Sequence, residues 1–163
     1  MEKIELIKSK IVSVDKLRSV LNMWRFKEYK IVFTNGCFDI LHYGHVDYLT
    51  KAADLGHKLV IGLNSDESVR KIKGASRPVQ DEKTRAYCLA AFHFVDKVVL
   101  FDEEIPYTLI GIIKPDILVK GSDYQPEEIA GFDIVTSYNG KIITIDLSPG
   151  YSTSEIIKKI KLT

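Results

Sequence analysis

Five short apolar runs, at residues 31–34, 58–63, 97–101, 117–120 and 141–147, recur along the chain with helical patterns between them. Each run is continuous rather than alternating, so both of its faces are expected to be covered, as in a strand inside a parallel sheet. Parallel neighbours need crossovers, and segments 45–55, 82–92 and 107–113 read as those helices, the last stopped by Pro115, with 152–160 as a closing helix. The order predicts an α/β fold: a Rossmann-like, doubly wound, mostly parallel five-stranded sheet with helices on both faces. Ahead of it, Val14, Leu17, Leu21 and Trp24 fall at helical spacing, which predicts an N-terminal helix packed on the core with Ser13 as its N-cap. Residues 1–28 are assigned to that extension and 29–163 to the sheet domain, a single domain overall.

The chain's 163 residues suit one compact core. Its 23 basic and 22 acidic residues give a formal charge of +1, which supplies no field to draw nucleic acid or an anionic membrane. A small-molecule partner is expected instead. Cys37 and Cys88 stand far apart without CxxC spacing, against a disulfide framework or zinc knuckle and in keeping with a reducing compartment. With no apolar run of signal-peptide or membrane-spanning length, a cytoplasmic setting is expected.

Ligands of such sheets lie where strands end at their carboxyl edges and helices begin. The first such edge reads TNGCFDILHYGH, residues 34–45. Gly36 and Gly44 let backbone approach a ligand, and a helix starting near Gly44 offers amides and a positive dipole end to an anion. His42 and His45, three apart, can project into that space and hold phosphate oxygens whose charge changes as a bond to phosphorus breaks. Asp39, His42 and His45 are also competent zinc ligands, but two glycines at a helix entrance and no thiolate nearby favour an oxyanion. The segment 71–85 gathers Lys71, Lys73, Arg77, Lys83 and Arg85, a pattern that is ordinarily a solvated face. Lys120 to Tyr124 follows a strand and reads as a turn, while Ser152 and Glu155 form a capping-box pattern at the last helix.

Gly36, Phe38, Asp39, His42, Gly44 and His45 together resemble the G-x-F-D-x-x-H-x-G-H signature of the cytidylyltransferase-like nucleotidyltransferases. Gly150, Ser152, Thr153 and Ser154 resemble that family's second signature, R-x-x-G-x-S-T-S/T, with Leu147 standing where cytidylyltransferases carry arginine. Across 30–160 the chain is similar to the adenylyltransferase domains that make ADP-activated heptose. The resemblance implies ATP and D-glycero-β-D-manno-heptose 1-phosphate as substrates, ADP-heptose and pyrophosphate as products, and a homodimer. It implies catalytic roles for His42, His45 and Lys73, with Lys73 and Arg85 on the β- and γ-phosphates. It places Asn35, Gly36, Phe38, Asp39, Gly44, Lys71, Arg85, Lys120, Asp123, Gly150, Ser152, Thr153 and Ser154 around the nucleotide. Mg²⁺ is expected to accompany ATP, with Asp39 as the candidate protein contact or, alternatively, as an organiser of its loop. The rival readings are a cytidylyltransferase for glycerol 3-phosphate or another phospho-alcohol, and a non-catalytic nucleotide-binding module. A Rossmann dehydrogenase is disfavoured, because no G-x-G-x-x-G follows the first strand.

Overall fold

A computed structural model describes residues 2–123 and 125–162. Its centre is a five-stranded sheet of β1 (Ile31–Gly36), β2 (Lys58–Asn64), β3 (Lys97–Phe101), β4 (Ile117–Gly121) and β5 (Lys141–Ile145), in the order β3-β2-β1-β4-β5. Every pairing is parallel, so the sheet is wholly rather than mostly parallel.

Alternate strand residues enter two separate cores. Val32, Leu59, Ile61, Leu63, Val98, Ile117 and Val119 face one side, where α3 (Tyr43–Ala53) and α5 (Glu82–Ala91) add Leu49, Ala52, Ala86 and Leu89. Ile31, Phe33, Val60, Val99 and Leu118 face the other, covered by α2 (Val14–Phe26), α6 (Tyr107–Ile113) and α7 (Phe132–Ser137). Each fully buried aliphatic or aromatic side chain contributes roughly 1.5–3 kcal/mol. Covering both faces explains why the strands read as unbroken apolar runs.

The expected N-terminal helix is α2, with Ser13 Oγ accepting the Lys16 amide at 3.3 Å and Leu17, Leu21 and Trp24 buried. A further helix, α1 (Lys3–Lys10), precedes it and was not anticipated: it buries no residue fully and so shows little apolar stripe. Ile7 and Ile11 pack partly against the core, Ile11 bridges Val98 in parallel, and Lys10 Nζ donates to the Phe92 carbonyl. After β2 and reaching into the charged run, where no helix was expected, lies α4 (Asp66–Lys73), capped by Ser65, with Asp66 and Glu67 in its first turn and Arg70, Lys71 and Lys73 in its last. Those charges complement the helix dipole, which makes the helix invisible to an apolar-period search. The final helix, α8 (Thr153–Lys161), has Ser152 as N-cap, its hydroxyl accepting the Glu155 amide at 3.1 Å. Among the described residues no helix is long and apolar enough to cross a membrane.

Candidate active site

β1 lies between β2 and β4, so successive connections leave it in opposite directions and open a crevice at its carboxyl end. Asn35 and Gly36 close β1 there, and Lys120 and Gly121 close β4. Lys120 Nζ donates to Asn35 Oδ1 across the crevice. Burial pulls the Lys120 pKa down to about 8, with Asp123 and Cys37 opposing the fall. Asp123 is exposed yet turns back on the strand end, where its carboxylate occupies the space that a Cβ on Gly121 would need. Tyr124, the end of the expected turn, lies outside the described residues.

The loop from β1 to α3 is held in a costly conformation. Phe38 and Ile40 have φ of 43° and 26°, in the left-handed region that ordinary side chains disfavour by roughly 1–2 kcal/mol. Asp39, at 2% exposure, is the tether: its carboxylate accepts Arg77 Nε at 2.6 Å and the amides of Val79 and Gln80 at 2.8 and 3.0 Å. Burial alone would raise its pKa, but those two amides and the Arg77 guanidinium outweigh it and hold the carboxyl below its usual range. At Gly36 a Cβ would stand 3.0 Å from the Phe38 ring, so a side chain there would press on this loop.

His42 is the N-cap of α3 and His45 lies in its first turn. Their rings stack at 3.8 Å between centroids and 25° between planes, and Phe38 meets His45 edge-on at 5.5 Å. The Nδ1 atoms of both imidazoles are buried and have no hydrogen-bond partner among the described residues. Burial, and then the neighbouring His42, lowers the His45 pKa to about 4; burial also lowers that of His42. At neutral pH the pair is therefore uncharged. Gly44 sits between them and the start of α8: a Cβ would be 3.1 Å from His42 Nδ1 and 3.1 Å from Tyr151 Cβ. Tyr43 and Tyr151 lie 5.0 Å apart at this contact, and Ser148 Oγ donates to Asp47 Oδ2 at 2.7 Å below it. Two helix entrances, with Ser152 and Thr153 in one and His42 to His45 in the other, thus abut. Gly150 has φ of 82° and Ser154 is exposed in the first turn of α8.

The basic residues divide. Lys73 is exposed at the end of α4, near enough to the β1–α3 loop for its charge to act on the Cys37 thiol. Lys71 is turned away in an exposed 2.8 Å pair with Glu67. Arg85, expected on the triphosphate, is fully buried. Its guanidinium donates to the carbonyls of Gln80, Cys37 and Asn64 and to Asp66 Oδ1, tying four segments together and leaving little to offer a ligand. In this structure the guanidinium expected on phosphate acts as a strut between protein segments. Asp39 is engaged by three protein donors, in keeping with the loop-organising alternative, and the described residues contain no cluster of three or more His, Cys, Asp or Glu that could hold a metal. The site's donors fit anions, not a resident cation. Arg77 was not among the expected site residues, for no local spacing signals a partner 38 positions away. A separate cleft of about 470 Å³ opens at the opposite edge of the sheet beside Arg25, Tyr29 and His57, away from all these loops.

The cytidylyltransferase-like family matches residues 33–159 of the chain. Curated relatives include the bifunctional protein HldE of Campylobacter jejuni subsp. doylei, 56% identical over 93% of this chain and 32% of that protein. The bifunctional protein HldE of Syntrophotalea carbinolica is 54% identical over 93% of this chain and 31% of its own length. The chain thus spans about a third of these relatives. Among solved structures, a lipopolysaccharide core biosynthesis protein from Thermoplasma volcanium superposes with a TM-score of 0.61 at 28% identity, covering 74% of this chain and 97% of that one. A pantoate-beta-alanine ligase from Francisella tularensis, 19% identical with a TM-score of 0.63 over 93% of this chain and 77% of its own, shares the fold. A paired-histidine helix entrance at the switch point of a parallel sheet and a match spanning most of the chain lead to one assignment: this protein belongs to the cytidylyltransferase-like family.

Proposed function

We propose that the chain is an adenylyltransferase that moves AMP from ATP to a sugar 1-phosphate, D-glycero-β-D-manno-heptose 1-phosphate, giving ADP-heptose and pyrophosphate. The observation that carries the reading is the stacked His42–His45 pair, its two Nδ1 atoms buried without partners at the entrance of α3. Identity of 56% and 54% to the HldE proteins, and likeness to a lipopolysaccharide core biosynthesis protein, support the sugar.

A phosphate oxygen of the sugar attacks the α-phosphorus in line with the departing pyrophosphate; that P–O bond forms as the α–β bridge breaks. No protein nucleophile is needed, and catalysis is positioning together with stabilisation of shifting charge. His42 and His45 enter as neutral imidazoles, each able to donate one N–H to α-phosphate oxygens. An approaching polyanion raises their pKa values and so strengthens them as donors as charge develops. Lys73 serves the β- and γ-phosphates, the α3 and α8 entrances supply amides, and Lys120 with Asn35 lines the crevice between β1 and β4. Gly36, Gly44 and Gly150 keep the backbone accessible. Mg²⁺ is assigned to the nucleotide as its counter-ion rather than to a protein seat. The same reading makes residues 29–163 the working domain of a cytoplasmic homodimer acting on small phosphates and not on nucleic acid, which sedimentation of the purified chain and a nucleic-acid binding assay check.

Mass spectrometry of products formed from ATP or CTP with a set of sugar 1-phosphates tests the proposal. An ADP-sugar with release of pyrophosphate is expected. A CDP product would move the activity to the cytidylyltransferase alternative, and nucleotide binding without pyrophosphate under every pair would make the chain a binding module.

A further inference from the structure

We propose that Arg77, anchored edge-on by Asp39, is a phosphate-binding residue of this site, presenting its terminal guanidinium nitrogens to the pyrophosphate portion of the nucleotide. The inference rests on the adenylyl-transfer reading and adds to it a residue that neither signature contains.

Arg77 spends only its Nε on the protein. That atom donates to Asp39 Oδ2 at 2.6 Å, with the arginine side chain 15% exposed and the aspartate 1%. Among the described residues no acceptor takes Nη1 or Nη2, and neither atom is sealed in the interior. A guanidinium held through Nε keeps its opposite, two-nitrogen edge for a ligand, and that edge matches two phosphate oxygens bidentately. The anchor is rigid, because the carboxylate that holds Arg77 is itself fixed by the Val79 and Gln80 amides. Little side-chain freedom then remains to be lost on binding.

Position agrees with geometry. Cys37, two residues from Asp39 and directly after β1, experiences the charges of Lys73, Arg85 and Arg77 together. Arg85 is consumed by three carbonyls and Asp66. Of the cations acting on Cys37, Lys73 and Arg77 therefore remain as those whose terminal donors no acceptor among the described residues takes, and of the two only Arg77 is preorganised. The competing reading is that Arg77 is nothing more than the counter-ion of Asp39.

Calorimetric titration of the full chain with pyrophosphate, ATP and AMP separates the two. Arg77→Gln is expected to weaken pyrophosphate and ATP by about tenfold to a hundredfold, as for loss of a charge-assisted bidentate contact, while leaving AMP within about twofold. The ratio of pyrophosphate to AMP affinity does not depend on the folded fraction, so a partly unfolded preparation still reports. Arg77→Lys provides a second variant that retains a cation for Asp39 but cannot also grip phosphate bidentately; it too should lose pyrophosphate selectively. Unchanged pyrophosphate affinity in both variants, or equal loss of pyrophosphate and AMP, would overturn the role of Arg77 while leaving adenylyl transfer standing. Failure of the wild-type chain to bind ATP or pyrophosphate would overturn both.

Discussion

The imidazoles of His42 and His45 stack face to face at 3.8 Å, and neither Nδ1 has a protein partner. Buried polar atoms without partners are costly, and under the proposed function ligand oxygens would meet this pair at the helix entrance. Replacing His45 by alanine removes one donor to the transition state and relieves an uncomfortable burial. Turnover should fall by about two to four orders of magnitude with the melting temperature unchanged or higher. Near-normal kcat in the purified variant would exclude the residue from catalysis.

Stability should carry the same signature in its pH dependence. His45 titrates near 6.5 when unfolded but at about 4 in the fold, because burial and then the adjacent His42 disfavour its charge. Between those values the unfolded chain binds a proton that the folded one refuses, so stability falls as pH drops through that window and is level above it for this group. Carboxylates titrate there too. Comparison with His45→Gln isolates the histidine: the melting temperature of wild type relative to that of the variant should fall as pH drops from 6.5 toward 4.

What the sequence disclosed follows from how locally each feature is encoded. The strands were legible because their period and length are properties of five to seven consecutive residues, and β3 and α6 have the bounds expected for them. The helix α4 was not, since Ser68 and Val69 are its buried residues and most of the rest is charged, which leaves no apolar period to read. At the site, the glycines and histidines of one short loop could be grouped by spacing alone. Arg85 and Arg77 could not be told apart that way: both are basic residues in one charged segment, and only the tertiary fold buries the first among carbonyls and sets the second against Asp39.

Arg85 accordingly makes a stability prediction. Its guanidinium satisfies the carbonyls of Cys37, Asn64 and Gln80 and the Asp66 carboxylate from a fully buried position. Arg85→Ala strands these acceptors and opens a cavity, which should cost at least about 3 kcal/mol in chemical denaturation. Arg85→Lys, able to reach fewer acceptors, should recover only part of that. A variant as stable as wild type but deficient in ATP affinity would restore the phosphate role instead.

Gly44 should separate activity from stability. Alanine gains about 1 kcal/mol over glycine inside a helix, yet the new Cβ would stand 3.1 Å from both His42 Nδ1 and Tyr151 Cβ. Tyr151 Cβ is fixed to the chain entering α8, so the His42 ring is the neighbour that must shift, and denaturation midpoints should hold or fall modestly. Turnover should still drop by about tenfold or more, since sub-ångström displacement of the His42 ring is enough to spoil in-line geometry. Equal turnover would mean that the stack tolerates movement.

Lys120 offers the last test, on the alkaline side. Its ammonium bonds Asn35 at the switch point, and burial brings its pKa from 10.5 down to about 8. A buried amine that must be charged to meet phosphate loses that charge as pH rises through the depressed value. For ATP, kcat/KM should therefore decline above about pH 8, and the decline should be absent in Lys120→Arg, whose guanidinium stays protonated, even if that variant is slower throughout. Binding of ATP, if proton-linked in this way, would also raise the lysine's pKa, so kcat at saturating nucleotide should hold to higher pH than kcat/KM does. Profiles that coincide would show that Lys120 senses the fold and not the substrate.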